Sequence, residues 1–222
     1  MTESEFESAM AGFMADRVST DPAHDILHVR RVVTLAKALA DSEKADRQVV
    51  VPAAWLHDCI TLPKDSPEKH KASTLAAEEA VRFLSDVGYP ARYLDPVYHA
   101  IQAHSYSANI KPLTLEACVV QDADRLDALG AIGVARCMLV GGALHTPLYH
   151  QDDAFCEHRQ PADRHYVLDH FYNKLLHLPA GLHTPSARLE AQRRRDALQF
   201  FLDELRRELE VSRIKTEQYQ LL

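Results

Sequence analysis

The residues whose types and positions best suit catalysis or metal binding are the neighbours His57 and Asp58. They directly follow an apolar run from Val49 to Leu56. An imidazole and a carboxylate at the end of a buried segment lower stability unless a partner satisfies both. A divalent cation is a partner that accepts both kinds of ligand. The pair therefore indicates the centre of a metal-dependent hydrolase site, and the rest of the chain must supply the remaining ligands.

A second histidine lies on the inward face of a predicted helix that begins at Asp21-Pro22, since Asp is a good N-cap and Pro suits the first helical position. His28, Val32 and Leu39 share one helical stripe, so the imidazole of His28 should face the core. His24 stands one turn earlier on the same face.

A third helix, predicted from Thr114 to Leu129 and ended by Gly130, places Asp124 and Asp127 on its inward face together with Val120. With the two histidines and Asp58, these carboxylates form a mixed nitrogen and oxygen ligand set. Such a set suits Mn²⁺, Fe²⁺, Zn²⁺ or, less well, Mg²⁺. An octahedral ion held in this way would keep open positions for water and a phosphate oxygen.

Three motifs, in this order, resemble the HD-domain superfamily of metal-dependent phosphohydrolases, in its small single-domain bacterial branch. They are His24-Asp25-x-x-His28-Val29-Arg30-Arg31-Val32, Trp55-Leu56-His57-Asp58 and Gln121-Asp122-Ala123-Asp124-Arg125-Leu126-Asp127-Ala128. The resemblance covers about residues 20 to 180. It implies one divalent metal ion, Mn²⁺ first and Mg²⁺, Fe²⁺, Zn²⁺, Co²⁺ or Ni²⁺ as alternatives, bound by His28, His57, Asp58 and Asp124. It favours Asp124 over Asp122 or Asp127 as the last ligand.

The resemblance also implies an all-α fold, a compact helical bundle around the metal with C-terminal helices packed on it. We expect one domain over residues 1–222, with an HD core at about 20–130 and a C-terminal helical extension at about 131–222. The low count of seven glycines and the lack of alternating β-branched runs agree with helices. Residues 131–144 are expected to form a buried helix, and two further helices are expected at roughly 162–178 and 184–213.

Asp58 and His104 are the candidate catalytic residues. Asp58 or Asp124 would orient the attacking water. His104 follows Val97 and Ile101 at helical spacing, so it should point inward at a helix end. It either contacts the substrate phosphate or holds the water, or it is an ordinary core histidine.

Several other residues could contact the substrate. Asp127 either accepts a bond from a sugar hydroxyl or orients a metal ligand. For the lysines the alternative is simple exposure to solvent, and for the histidines it is packing. The substrate-binding candidates are Lys64, Arg125, Asp127, His24, His99 and Lys174.

The implied activity is hydrolysis of a phosphoester or phosphoanhydride in a nucleotide, which could be cleavage of a nucleoside triphosphate to the monophosphate and pyrophosphate. The alternative is a non-catalytic HD-like helical module for binding or signalling, but such modules typically lose ligands, and all four remain here. Gly88-Tyr89-Pro90 spells the signature of cyclic-dinucleotide phosphodiesterases but lies before His99 and lacks the surrounding pattern. The further motifs of guanosine tetraphosphate hydrolases are not apparent.

The composition of the chain limits the classes of partner that we expect it to bind. The formal charge of −7 argues against broad binding to nucleic acid, although a small phosphorylated substrate remains compatible with it. The longest apolar stretch, residues 128–144, is interrupted by Arg136 and is short for a bilayer, so no membrane is expected. The four cysteines form no C-x-x-C pair and no secretory signal is visible, which predicts a cytoplasmic protein.

Overall fold

The protein is all-α, as the sequence predicts. The computed structural model describes residues 2–17, 25–62, 66–105 and 107–219, with side chains up to residue 210, and these ranges contain no β-strand. The helices are α1 (Glu3–Ala15), α2 (Ile26–Glu43), α3 (Arg47–Leu56), α4 (Ala72–Asp86), α5 (Leu94–His104), α6 (Leu115–Asp127), α7 (Gly130–Ala143), α8 (Asp169–Asn173) and α9 (Pro185–Tyr219). Short 3₁₀ turns cover Lys69–Lys71, Ala91–Tyr93 and Leu175–Gly181.

Side-chain caps fix the starts of the three helices that carry the predicted ligands. Asp25 accepts a hydrogen bond from the amide of His28, Asp46 caps α3 through the amide of Gln48, and Thr114 caps α6 through the amide of Ala117. Such caps each stabilise a helix by about 1 kcal/mol. The predicted start at Asp21-Pro22 lies outside the described residues.

The core forms where α2, α3, α5 and α6 pack against one another, with α4 against α5 and α1 against α3. Residues of α3 from Val49 to Leu56 are buried on every side, which explains their unbroken apolar run. Pro52 lies in the first turns of this helix and does not end it. Helix α9 crosses α6 and α7 and joins the C-terminal half to this core.

The chain turns sharply between α6 and α7, whose axes are bent by 65°. Gly130 makes this turn with a φ of 71°, a left-handed conformation that a side chain would disfavour. No described helix is by itself long and apolar enough to cross a membrane; only α6 and α7 taken together, across their bend, have the length and composition.

Two predictions about the C-terminal half are wrong. In α7 the fully buried residues are Gly130, Gly133 and Gly141, and Leu139 is 52% exposed, so α7 lies on the surface rather than inside the core. The helix expected at 162–178 is reduced to α8 and a 3₁₀ turn, because the backbone of Lys174, with φ −136° and ψ −61°, interrupts the helical path between them.

Candidate metal centre

His28 lies in the first turn of α2 with its ring 1% exposed. Its Nδ1 atom lies 2.7 Å from Oδ2 of Asp127, a carboxylate that can only accept, so Nδ1 carries the proton and Nε2 presents a lone pair. Nε2 lies 3.5 Å from Oδ1 of Asp124 and 3.8 Å from Oδ2 of Asp58. A carboxylate that holds the other ring nitrogen is the common support of a metal-binding histidine.

His57 is oriented in the same way by its own helix. It follows the last residue of α3, and its Nδ1 donates to the carbonyl of Ala54 at 2.9 Å. Its Nε2 is buried and makes no hydrogen bond in the described part of the chain. Burial, the largest influence, lowers the pKa of His57 and keeps the ring neutral, which is the state that binds a metal.

The two carboxylates face these nitrogens. Nε2 of His57 lies 3.6 Å from Oδ2 of Asp58 and 4.0 Å from Oδ1 of Asp124. Burial acts to raise the pKa of Asp58, but the neighbouring His57 and His104 outweigh it and hold this pKa well below its ordinary value. The pKa of Asp124 is also lowered, since His57 and His28 outweigh its burial. Both groups are therefore ionised at neutral pH.

His104, at the last position of α5, approaches the other oxygen of the same carboxylate. Its Nδ1 donates to the carbonyl of Ile101 at 2.6 Å, and its Nε2 lies 3.5 Å from Oδ1 of Asp58. Burial acts to lower the pKa of His104, but the Asp58 carboxylate outweighs it and raises this pKa. The structure therefore places His104 beside the cluster. The pKa of its ring is raised, whereas the pKa of His57 is lowered.

The donor set fits a divalent cation. His28, His57 and Asp58 each offer one ligand atom, and these three atoms lie within 4.8 Å of one another. Oδ1 of Asp124 lies 3.5 Å from Nε2 of His28 and 4.0 Å from Nε2 of His57, so it faces the same centre. A buried imidazole nitrogen without a hydrogen-bond partner in the described chain, as in His57, is costly unless an ion binds it. Two imidazoles and two carboxylates match the ligand preferences of first-row divalent metals.

Asp127 is buried, with its side chain 1% exposed, and it contacts the ring of His28 rather than facing solvent. Besides His28, it accepts hydrogen bonds from Arg31 at 2.7 Å and from Arg136 at 2.7 Å. Burial acts to raise the pKa of Asp127, but the hydrogen bond with His28, together with Arg31 and Arg136, outweighs it and lowers this pKa. Arg31 and Arg136 are not among the site residues predicted from the sequence. The one signal is the position of Arg136 as a lone arginine within the apolar stretch of α7.

The other predicted substrate-binding residues make different kinds of contact. Arg125 donates to the carbonyl of Gly181 at 2.7 Å, and His99 accepts a hydrogen bond from the amide of Leu113 at 2.9 Å, so each makes a contact that joins chain segments. Burial lowers the pKa of Lys174, while Asp124 acts in the opposite direction, so its ammonium group lies within electrostatic range of the cluster. His24 and Lys64 lie outside the described residues.

The four cysteines, all within the described part of the chain, are free thiols.

Comparisons with known proteins agree with this geometry. A family model described as HD domain matches residues 26–129, which include every residue of the cluster. The protein YpgQ of Bacillus subtilis is 33% identical over 190 residues, covering 84% of each chain.

Two solved structures resemble this chain over nearly its whole length. The crystal structure of Bacillus subtilis YpgQ in complex with ADP is 30% identical, covers 94% of this chain and 97% of its own, and superposes with a TM-score of 0.72. A structure described as an HD-superfamily hydrolase from Bacillus thuringiensis is also 30% identical, covers 94% and 99%, and has a TM-score of 0.73.

Proposed function

Because the chain belongs to the HD-domain superfamily, we propose that it is a metal-dependent phosphohydrolase that acts on a nucleotide. The observation that carries this proposal is the convergence of His28, His57 and Asp58, with ligand atoms within 4.8 Å, at the ends of separate helices. A module that only binds or signals would have no need to keep such a buried ligand set complete.

One divalent cation would be held by His28, His57, Asp58 and Asp124, and we propose Mn²⁺, which accepts nitrogen and carboxylate ligands together. When bound, such an ion supplies Lewis-acid chemistry, since it polarises phosphoryl oxygens and lowers the pKa of water. Asp127 and the carbonyl of Ala54 fix which nitrogen of each imidazole faces the ion.

The protein's own groups would then handle protons and charge. His104 can hold a proton at Nε2, where the Asp58 carboxylate favours the charged ring, and can deliver it toward a leaving oxygen. Lys174 is the described cation best placed to counter negative charge on the phosphates, since it interacts with Asp124 across the site. Arg125, His99, Lys64 and His24 are weaker proposals, the first two because of the backbone contacts described above.

A nucleotide substrate is supported by the ADP complex of YpgQ, whose structure this chain resembles over nearly its whole length. Among nucleotide reactions we propose cleavage of a nucleoside triphosphate to the monophosphate and pyrophosphate.

The test is to purify the full chain without chelator, measure metal per chain, and assay a panel of nucleoside mono-, di- and triphosphates. We expect about one divalent ion per chain and hydrolysis that is lost with chelator and restored by Mn²⁺. Asp58→Ala should reduce turnover by more than about 100-fold with an unchanged circular dichroism spectrum. Asp86→Ala, an exposed carboxylate at the end of α4, is the matched control. Absence of both bound metal and phosphate release would favour the binding-module alternative.

A further inference from the structure

A cavity of about 360 Å³ lies beside the metal centre, between α7 and the segment that carries α8. One face of α7 forms its first wall. The residues of that face recur at helical spacing: Gly133, Arg136, Cys137, Val140, Gly141 and Leu144. Val167, Lys174 and Leu175 lie on the opposite wall, and Lys69 also lines the cavity. We call this cavity the α7 cleft.

Cations line the part of the α7 cleft that is closest to the metal centre. Arg136 donates to Asp127, the carboxylate that holds His28, so its guanidinium connects the cleft to the cluster. Lys174 interacts electrostatically with Asp124 and also with Lys69 and Arg136. Three cations near one another repel unless anions lie among them. Asp124 and Asp127 face the metal centre, and Asp163, the carboxylate that lines the cleft, pairs with His170. A polyphosphate is an anion of the right kind for this end.

The remaining walls of the α7 cleft are mixed: apolar side chains line it together with Thr146 and with Asp163 and His170, whose side chains lie 3.1 Å apart. Val140 and Leu144 come from α7, and Val167 and Leu175 come from the segment opposite. Among the apolar residues of α7, Val134 and Met138 pack partly buried against the core, whereas Val140 lines the cleft. An apolar surface that continues from a cationic end fits a ligand with a charged head and a flat apolar body.

Resting on the proposed nucleotide hydrolysis, we propose that the α7 cleft binds the nucleoside of the substrate against Val140 and Leu144, with the phosphates over Lys69, Arg136 and Lys174. The volume of about 360 Å³ is near the lower end of the roughly 300–1,000 Å³ typical of small-molecule sites, so the cleft accommodates one nucleoside. Base and sugar selectivity is therefore determined by α7 and the facing segment, outside the metal-binding helices.

The first arm of the test fills the apolar end. Val140→Trp places a large side chain in the cleft without changing a charge, and Leu139→Trp is its control, on the same helix but 52% exposed and not lining the cleft. The probes are the α,β-methylene analogues of the four ribonucleoside triphosphates, of which the tightest binder is used, and inorganic tripolyphosphate. Binding to the Mn²⁺-loaded full chain is measured by calorimetry, with metal content and circular dichroism as checks of folding.

We expect Val140→Trp to weaken nucleotide binding by about tenfold or more, and tripolyphosphate binding by less than about twofold. Leu139→Trp should change neither. The second arm neutralises a cation: Lys69→Gln should weaken both probes to a similar extent, whereas Lys71→Gln, whose lysine pairs with Glu68 at 2.5 Å, should not. Equal effects of Val140→Trp and Leu139→Trp, or equal loss of both probes in Val140→Trp, would overturn the proposal, as would failure of all four analogues to bind.

The two proposals can fail separately. If nucleotides are hydrolysed and Val140→Trp behaves as the wild type, the cleft assignment is wrong while the hydrolase assignment holds. If the analogues bind and Val140→Trp blocks them, but no nucleotide in the panel is cleaved, the cleft assignment holds and the hydrolase assignment is wrong.

Discussion

Nδ1 of His28 lies 2.7 Å from Oδ2 of Asp127, so a buried carboxylate on α6 holds the ring of a proposed metal ligand on α2 in one orientation. The same carboxylate accepts hydrogen bonds from Arg31 and Arg136. The two arginines keep it ionised, and the ionised carboxylate keeps the proton of His28 on Nδ1. The metal centre therefore depends on residues that would not touch the ion.

Asp127→Asn should weaken metal binding. The amide can still accept one hydrogen bond from His28, but it carries no charge to oppose Arg31 and Arg136. We expect the affinity for Mn²⁺ to fall by about 10- to 100-fold, measured by titration of the metal-free protein. Asp95→Asn, an exposed carboxylate in the first turn of α5, is the control. An unchanged affinity would show that His28 needs no support from Asp127.

His104→Ala should separate catalysis from metal binding. His104 contacts Oδ1 of Asp58, whereas His28 and His57 face Oδ2. We expect turnover to fall by about 10- to 1,000-fold, the range of a lost proton-transferring or charge-stabilising group, while metal content stays near one ion per chain.

The control for this variant is His158→Ala, which removes an exposed imidazole from the loop before α8. Loss of the metal in His104→Ala would make His104 a ligand. Turnover equal to that of the control would make it a core histidine.

The sequence predicts that the candidate metal ligands face inward, and it can do so because the signal is local. Ligands at the end of an apolar run, as in His57, or on an apolar stripe, as in His28, must face inward wherever the helices pack. The supporting contacts of Asp127 are different, since they join α6 to α2 and α7 and depend on the 65° bend between α6 and α7. No spacing within one helix encodes such contacts.

The error about α7 has a related cause. Its apolar composition suggested burial, but composition does not distinguish a helix covered by core from one that lines a cleft. The buried glycines are the better signal, because Gly130 and Gly141 mark where the side chains of Arg194 and Val167 approach the helix backbone closely. Gly142, which is also in α7, marks no such approach.

Two glycines of α7 should therefore respond oppositely to the same substitution. A Cβ atom at Gly133 would lie 2.2 Å from the carbonyl oxygen of Ala128, a backbone atom that cannot move without shifting the turn. Gly133→Ala should lower the free energy of unfolding by about 1–3 kcal/mol. Nothing lies within 4 Å of a Cβ atom at Gly142, so Gly142→Ala should leave it unchanged or raise it by up to about 1 kcal/mol. Urea denaturation of both variants provides the measurement, and equal effects would contradict the close approach at Gly133.

The last prediction concerns acid stability and Asp169, which is fully buried at the start of α8. Arg159 donates to its two oxygens at 2.5 and 2.6 Å, and the amide of Ala162 donates at 2.6 Å. Burial acts to raise the pKa of Asp169, but these donors outweigh it and lower the pKa. A carboxyl group whose folded-state pKa is lowered stabilises the fold above its unfolded pKa, about 3.9 for Asp. That stabilisation is lost as the pH falls through the folded-state pKa.

Asp169→Asn should accordingly lower the free energy of unfolding by about 3 kcal/mol at pH 7, because Arg159 loses its charged partner. The difference between wild type and variant should shrink as the pH falls below about 4, since protonation of Asp169 in the wild type removes the same charge. Urea unfolding of the metal-free proteins between about pH 7 and pH 3 tests this, and carboxylates common to both chains cancel in the difference. A difference that stays constant over this range would mean that the charge of Asp169 does not stabilise the segment opposite α7, and that its hydrogen bonds alone do.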